Sequence, residues 1–209
     1  MYTPPAYAET DEALLRECMR AWSFATLVTH GAQGVQATHL PFLVDEEGEH
    51  GTLVTHLACA NPQYRDLQAG AEALVIFQGP HAFVSPSWYE NRLTFPTWNY
   101  TAVHARGLPQ LIEAPEDVHR VLQRVVARYD TPLGGAWRFD AMPAELTSSR
   151  LRAIAAVRIP VRQLEGKMKL NQDKSVADRR GVAAALERLG DAQSLAVAAL
   201  IRAQPDMRS

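Results

Sequence analysis

Between residues 24 and 57 the chain alternates short β-branched and apolar runs with turn clusters, and that rhythm restricts its fold more than any other feature. Residues 24–29, 35–44 and 52–57 are punctuated by His30-Gly31-Ala32-Gln33-Gly34 and Glu46-Glu47-Gly48-Glu49, which predicts three hairpin-linked strands. Further strand candidates fall at 74–77, 83–85, 101–106, 110–112 and 156–161, the last ending near Pro160. Many short strands with short connections favour an antiparallel barrel over a parallel α/β sheet.

Helical periodicity is confined to a few segments. Leu14, Leu15, Cys18, Met19 and Trp22 share one face of a predicted helix over 11–22, with Thr10 or Asp11 as its cap. Asn61-Pro62 reads as a cap and first-turn proline opening a short helix to about Leu67. From Pro115, the residues Val118, Val121, Leu122, Val125, Val126 and Tyr129 repeat at helical spacing. Residues 137–146 read as irregular, with a short helix at 151–153. The Ala- and Leu-rich tail predicts two helices over about 176–203, broken at Gly190-Asp191. The whole chain, 1–209, is expected to form a single domain carrying these terminal helices.

Composition excludes several classes. At 47% hydrophobic and 21% charged the chain reads as globular, and its net charge of −2 offers no global field for nucleic acid or acidic membranes. No apolar run reaches membrane-spanning length and the start lacks a signal-peptide pattern, so a cytoplasmic location is expected. Cys18 and Cys59 have no CxxC partner and read as buried free thiols. The seven histidines form no HExxH or comparable cluster, so no metal is expected. Serines lack a GxSxG frame, and GxxxxGK[ST] and GxGxxG loops are absent.

Two regions stand out as ligand-like. Ser85-Pro86-Ser87-Trp88-Tyr89 and Pro96-Thr97-Trp98-Asn99-Tyr100 concentrate rings that can stack on a planar ligand, or equally fill a core corner or a subunit interface. His39 and His56 sit in Thr38-His39-Leu40 and Thr55-His56-Leu57-Ala58, within predicted strands, where they point one way from neighbouring strands or are hydrogen-bonded to backbone. A phosphate has two candidate seats: the helix start at Asn61, and the run from Lys167 to Arg180, with five basic residues against two aspartates.

Taken in order, Met1-Tyr2-Thr3-Pro4, Thr38-His39-Leu40-Pro41-Phe42, His56-Leu57-Ala58-Cys59-Ala60-Asn61-Pro62-Gln63, Ser85-Pro86-Ser87-Trp88-Tyr89, Pro96-Thr97-Trp98-Asn99-Tyr100 and Lys167-Met168-Lys169-Leu170 resemble the PaiB-like family of FMN-binding negative transcriptional regulators, to about Gly181. The resemblance implies a mainly β split barrel with flanking helices, of the pyridoxamine-phosphate-oxidase type, forming a homodimer with FMN in the interface cleft. It implies that Thr38, His39 and Leu40 line the flavin ring and that Thr55, His56, Ala58 and Asn61 face ring and phosphate. Ser87, Trp88, Tyr89 and Trp98 would then wall the cleft, and Lys169 neutralise the phosphate. One departure is specific: Asn171 and Asp173 stand where the resemblance expects serine and asparagine. A carboxylate at Asp173 disfavours an adjacent phosphate unless it pairs with Lys174 or Arg179 or points outward.

The resemblance therefore implies a flavin-binding regulator, with DNA contact suggested by family analogy but opposed by charge. The rival is an FMN-dependent oxidoreductase in which His39, His56 or Tyr89 donates a proton or stabilises reduced flavin. A third reading is a haem-binding split barrel with His81 or His104 as axial ligand.

Overall fold

A computed structural model describes residues 1–207. The chain is mainly antiparallel β with flanking helices, as expected. Its strands are β1 (Ala8–Glu9), β2 (Phe24–Gly31), β3 (Gly34–Pro41), β4 (Leu43–Asp45), β5 (Thr52–Ala58), β6 (Ala73–Val84), β7 (Thr97–Gly107), β8 (Gln110–Ile112) and β9 (Ile154–Lys169). The helices are α1 (Glu12–Ala21), α2 (Gln63–Gln68), α3 (Pro115–Tyr129), α4 (Ala144–Leu151), α5 (Val176–Leu189) and α6 (Ala192–Arg202). Ladder order is β3-β2-β6-β7-β9-β5-β4, with β1 and β8 also on β9. The residues cluster into two compact units: 1–11, 78–103 and 165–207 in the first, and 12–77 with 104–164 in the second. The long strands β6, β7 and β9 contribute segments to both.

In the second unit the β2–β3 hairpin turns at Gly31 and Gly34, and β4 and β5 form another antiparallel pair. The expected run over 35–44 is thus two strands divided at Phe42, whose ring turns inward to meet Phe77 edge-on at 5.7 Å. Strand alternation supplies the core, with Leu27, Leu53, Val75 and Ile159 fully buried beside Leu15 and Met19 of α1. The apolar stripe of α3 buries Val118 and Val121 against Leu43, Val54 and Ala156. Helix α4 begins at Ala144, earlier than the helix expected at 151–153, and replaces part of the irregular stretch.

The first unit is organised by its terminal helices. Ser175 caps α5 by accepting from the Asp178 amide at 3.0 Å, and Asp191 caps α6 by accepting from the amides of Gln193 and Ser194. Gly190 closes α5 in the left-handed conformation at φ 74°, which glycine adopts without steric penalty. The buried faces of both helices, including Val182, Leu186, Val197 and Ile201, enclose Tyr89 and Leu170. Gly181 lets α5 approach the Trp88 turn: a Cβ there would lie 2.2 Å from the Trp88 carbonyl oxygen.

Two strands run further than expected. The candidates at 74–77 and 83–85 are one continuous β6 through Pro80, and β9 runs past Pro160 to Lys169. A proline removes one donor but keeps an extended backbone, so the strand continues on its remaining bonds; the Pro80 carbonyl accepts from Thr101 Oγ1 at 3.2 Å. Lys167 and Lys169 are consequently strand residues. Neither cysteine is in a disulfide, and both are half-buried where full burial was expected.

Candidate functional site

In the first unit, β7, the end of β9 and the turn after it surround a polar cavity of about 210 Å³. Period-two alternation on β7 places Thr97 and Asn99 in its lining and exposes Trp98. Lys169 Nζ donates to Thr97 Oγ1 and lies 6.0 Å from the centre of the Tyr7 ring. Lys169 has no ion pair among the described residues, whereas Lys174 pairs with Asp173 at 2.9 Å.

The Asp173 departure is therefore resolved by pairing. Burial pushes this carboxyl up, but hydrogen bonds from Lys174 and Tyr7 together with the Lys174 charge hold it below the ordinary carboxylate range. Reciprocally, burial and then Asp173 push the Tyr7 phenol up to about 12, so it remains a donor. Arg179, the other expected partner, is committed to Asp206, with one contact at 2.8 Å. Of the two lysines lining the cavity, Lys169 has no carboxylate partner among the described residues.

Behind the lysines sits a buried amide network. Asn171 adopts φ 62°, a conformation asparagine tolerates better than most residues. It donates from Nδ2 to the Tyr89 hydroxyl at 2.6 Å and accepts from Asn99 Nδ2. Asn99 is fully buried, and its Oδ1 finds no partner. An orphaned acceptor in a polar cavity is costly unless a donor arrives.

The expected cleft residues of this unit divide. Tyr89 is 3% exposed within the helical core and reaches the cavity residues only through Asn171. Half-buried Trp88 packs on the same helices, while Ser87 is exposed and its amide donates to Ser85 Oγ. Trp98, 53% exposed, lies with Phe83 at 5.9 Å and His81 at 6.2 Å. Thr97, Asn99, Asn171 and Tyr7 have no expected site role in the sequence; strand alternation about Trp98 is the signal that points to the first two.

The second unit holds the remaining candidates. Exposed His39 meets Thr26 Oγ1 at 3.0 Å through Nδ1 and stacks on Phe24 at 6.3 Å. Asn61 Nδ2 donates to Thr38 Oγ1 at 3.0 Å, and Asn61 Oδ1 accepts from the Gln63 amide at 2.9 Å. Those two side chains are thus brought together, with Asn61 occupied by the protein's own groups. Thr55 is buried and donates to the Pro41 carbonyl at 2.7 Å, Leu40 is buried, and Ala58 is exposed. His56 is half-buried with Nδ1 unpartnered, and burial lowers its pKa below the ordinary value. Strands β3 and β5 share no ladder, but they approach one another where Thr55 donates to the Pro41 carbonyl.

Among the described residues no group of three or more His, Cys, Asp and Glu side chains is placed to hold a metal ion, and no helix is long and apolar enough to cross a membrane.

Comparison with solved structures places the architecture among flavoprotein split barrels. The FAD and heme binding protein from Mycobacterium smegmatis matches with a TM-score of 0.62 at 19% identity, covering 82% of this chain and 78% of that one. The flavocytochrome Anf3 from Azotobacter vinelandii matches at 0.61 and 14% identity, over 78% and 69%. These likenesses establish the fold. Residues 1–163 match the family described as "Putative FMN-binding domain". The chain belongs to that FMN-binding, PaiB-like family, and FMN is its cofactor. It is 33% identical over 182 residues, 87% of each chain, to the protease synthase and sporulation protein PAI 2 of Bacillus subtilis.

Proposed function

We propose that the polar cavity of the first unit takes the phosphate and ribityl chain of FMN, and that the protein acts as a flavin-responsive regulator. The observation that carries this reading is the pairing of an uncompensated ammonium, Lys169, with an orphaned buried acceptor, Asn99 Oδ1. A phosphate supplies the anion that Lys169 lacks, and a ribityl hydroxyl supplies the donor that Asn99 lacks. At about 210 Å³ the cavity falls below the roughly 300–1,000 Å³ of whole-ligand sites, so it suits the polar part of FMN and leaves the ring outside. FMN supplies redox chemistry on that ring; the chain's own residues bind, orient and shield it.

In this reading the protein is a cytoplasmic homodimer and one functional domain. Exposed Trp98 and Phe83 form the apolar face of the first unit that meets a second copy. Taken by itself, the second unit presents Thr38 and His39 of β3 as surface groups suited to a planar ring. Asn61 and Thr55 hold that strand through Thr38 and the Pro41 carbonyl, while Leu40, His56 and Ala58 take part through the ring's apolar surroundings. Regulation acts through protein contacts, because a net charge of −2 supplies no field for phosphate-rich DNA.

The test is a titration of flavin-stripped protein with FMN and riboflavin, followed by flavin fluorescence. FMN binds more tightly than riboflavin, and Lys169→Met erases most of that difference, since a charge-assisted hydrogen bond contributes about 1.5–3 kcal/mol. Equal loss of both ligands in Lys169→Met would place the phosphate elsewhere.

A further inference from the structure

A second cavity, of about 460 Å³, lies wholly within the second unit between α3, α4 and the segment joining them. Its walls are Leu122 of α3, Trp137, Phe139 and Met142 of the connection, Leu146 of α4 and Ile154 at the start of β9. Its volume is in the range of small-molecule sites, and side chains of this kind normally close on one another. Here they do not close across the space, leaving Trp137 45% and Leu146 42% exposed. The rings form one wall as a cluster: Trp137 meets Phe139 edge-on at 4.5 Å, and Phe139 meets His119 at 4.7 Å.

Arg150 brings the one charge to this apolar lining. Its guanidinium has no hydrogen bond or ion pair among the described residues, and the residue is exposed beside the apolar lining. The neighbouring cavity, of about 370 Å³, differs on this point: its Arg138 is neutralised by Asp140 in a two-pronged pair, with one bond at 2.8 Å. The Thr147 hydroxyl, also in the apolar lining, donates to the Pro143 carbonyl at 3.2 Å and adds no free donor. An apolar body with a single terminal anion satisfies every group present, because the planar guanidinium pairs with a carboxylate through two parallel bonds.

We propose that this cavity is a binding site for a hydrophobic monocarboxylate, distinct from the flavin site. The acyl or aryl body fills the space between Trp137, Phe139 and Leu146, and the carboxylate meets Arg150 at the rim. The ligand joins α3 to α4, so occupancy tightens a segment otherwise held by few buried contacts.

Calorimetric titration of the full-length, FMN-loaded protein with decanoate, decanol and decyltrimethylammonium tests the assignment. Decanoate binds saturably, with decanol at least tenfold weaker and the cation not bound. Arg150→Gln reduces decanoate affinity at least tenfold without changing decanol, and Leu146→Trp, which fills the space, reduces both. An unaltered melting curve for Arg150→Gln confirms that the exposed substitution leaves the fold intact. Equal affinity for decanoate and decanol, an unaffected Arg150→Gln, or no saturable binding would overturn the proposal. So would sedimentation showing that Leu146→Trp dissociates a dimer, which would assign the surface to a second copy.

Discussion

Replacing Asn171 by alanine and by glycine separates two costs that meet at one residue. Asn171 is 2% exposed, holds φ at 62°, donates to Tyr89 at 2.6 Å and accepts from Asn99. Alanine strands the buried Asn99 amide, already orphaned at Oδ1, at a cost of about 1–3 kcal/mol. Loss of the Tyr89 hydrogen bond adds about 0.5–1.5 kcal/mol. The left-handed backbone is present in the parent too, so the strain of about 1–2 kcal/mol that alanine keeps there sets it apart from glycine rather than adding in full to the loss. The expected destabilisation is therefore about 3 kcal/mol. Glycine loses the same hydrogen bonds but not the strain; subtracting about 0.4–1 kcal/mol for its greater unfolded-state entropy leaves it about 1 kcal/mol more stable than alanine. Urea unfolding followed by tryptophan fluorescence reads both values from midpoint shifts at constant slope. FMN titration of the same variants should show weaker binding in each, because Asn99 loses its anchor. A glycine variant less stable than the alanine variant, or an alanine cost below about 1 kcal/mol, would refute the argument.

Three other outcomes follow from the geometry. Burial depresses the His56 pKa below its ordinary 6.5, so the unfolded chain takes up protons first; stability is complete above pH 6.5 and declines as pH falls toward the folded value. His56→Gln should flatten the melting-temperature profile between about pH 5 and 7, and an unchanged slope would assign the effect to another group. Gln63→Ala should cost about 2–4 kcal/mol in chemical unfolding, since this fully buried amide nitrogen approaches Leu27 O, Thr29 Oγ1 and Gln36 O at 3.1, 3.2 and 3.3 Å. Trp98→Ser should shift the protein toward monomer in sedimentation velocity while leaving its melting curve unchanged; a variant that stays as dimeric as the parent would remove this face from the interface.

Much of the architecture was readable from local pattern. The hairpin signals at Gly31 and Gly34, the stripe from Val118 to Tyr129 and the break at Gly190-Asp191 each correspond to an observed element. Strands β6 and β9 run through Pro80 and past Pro160, where the second was expected to end, because a single missing donor does not end a strand held on its other bonds. The site was less legible. Large rings drew attention to Trp88, Tyr89 and Trp98, yet two of them pack on the terminal helices and the third lies exposed on the alternate face of β7 from Asn99.

The sequence by itself determined the strand-rich class, the helical faces and the FMN-binding family, because these depend on periodicity and on motifs close together in the chain. Tertiary structure alone decided which charges remain free. Asp173 looked hostile to an anion, but pairing with Lys174 and the Tyr7 hydroxyl cancels it and leaves Lys169 uncompensated. Likewise Asn99 and Asn171, 72 positions apart, become one buried network only where β7 and the turn after β9 converge. Electrostatic balance and hydrogen-bond satisfaction depend on distances of a few ångströms, and no spacing along the chain encodes them.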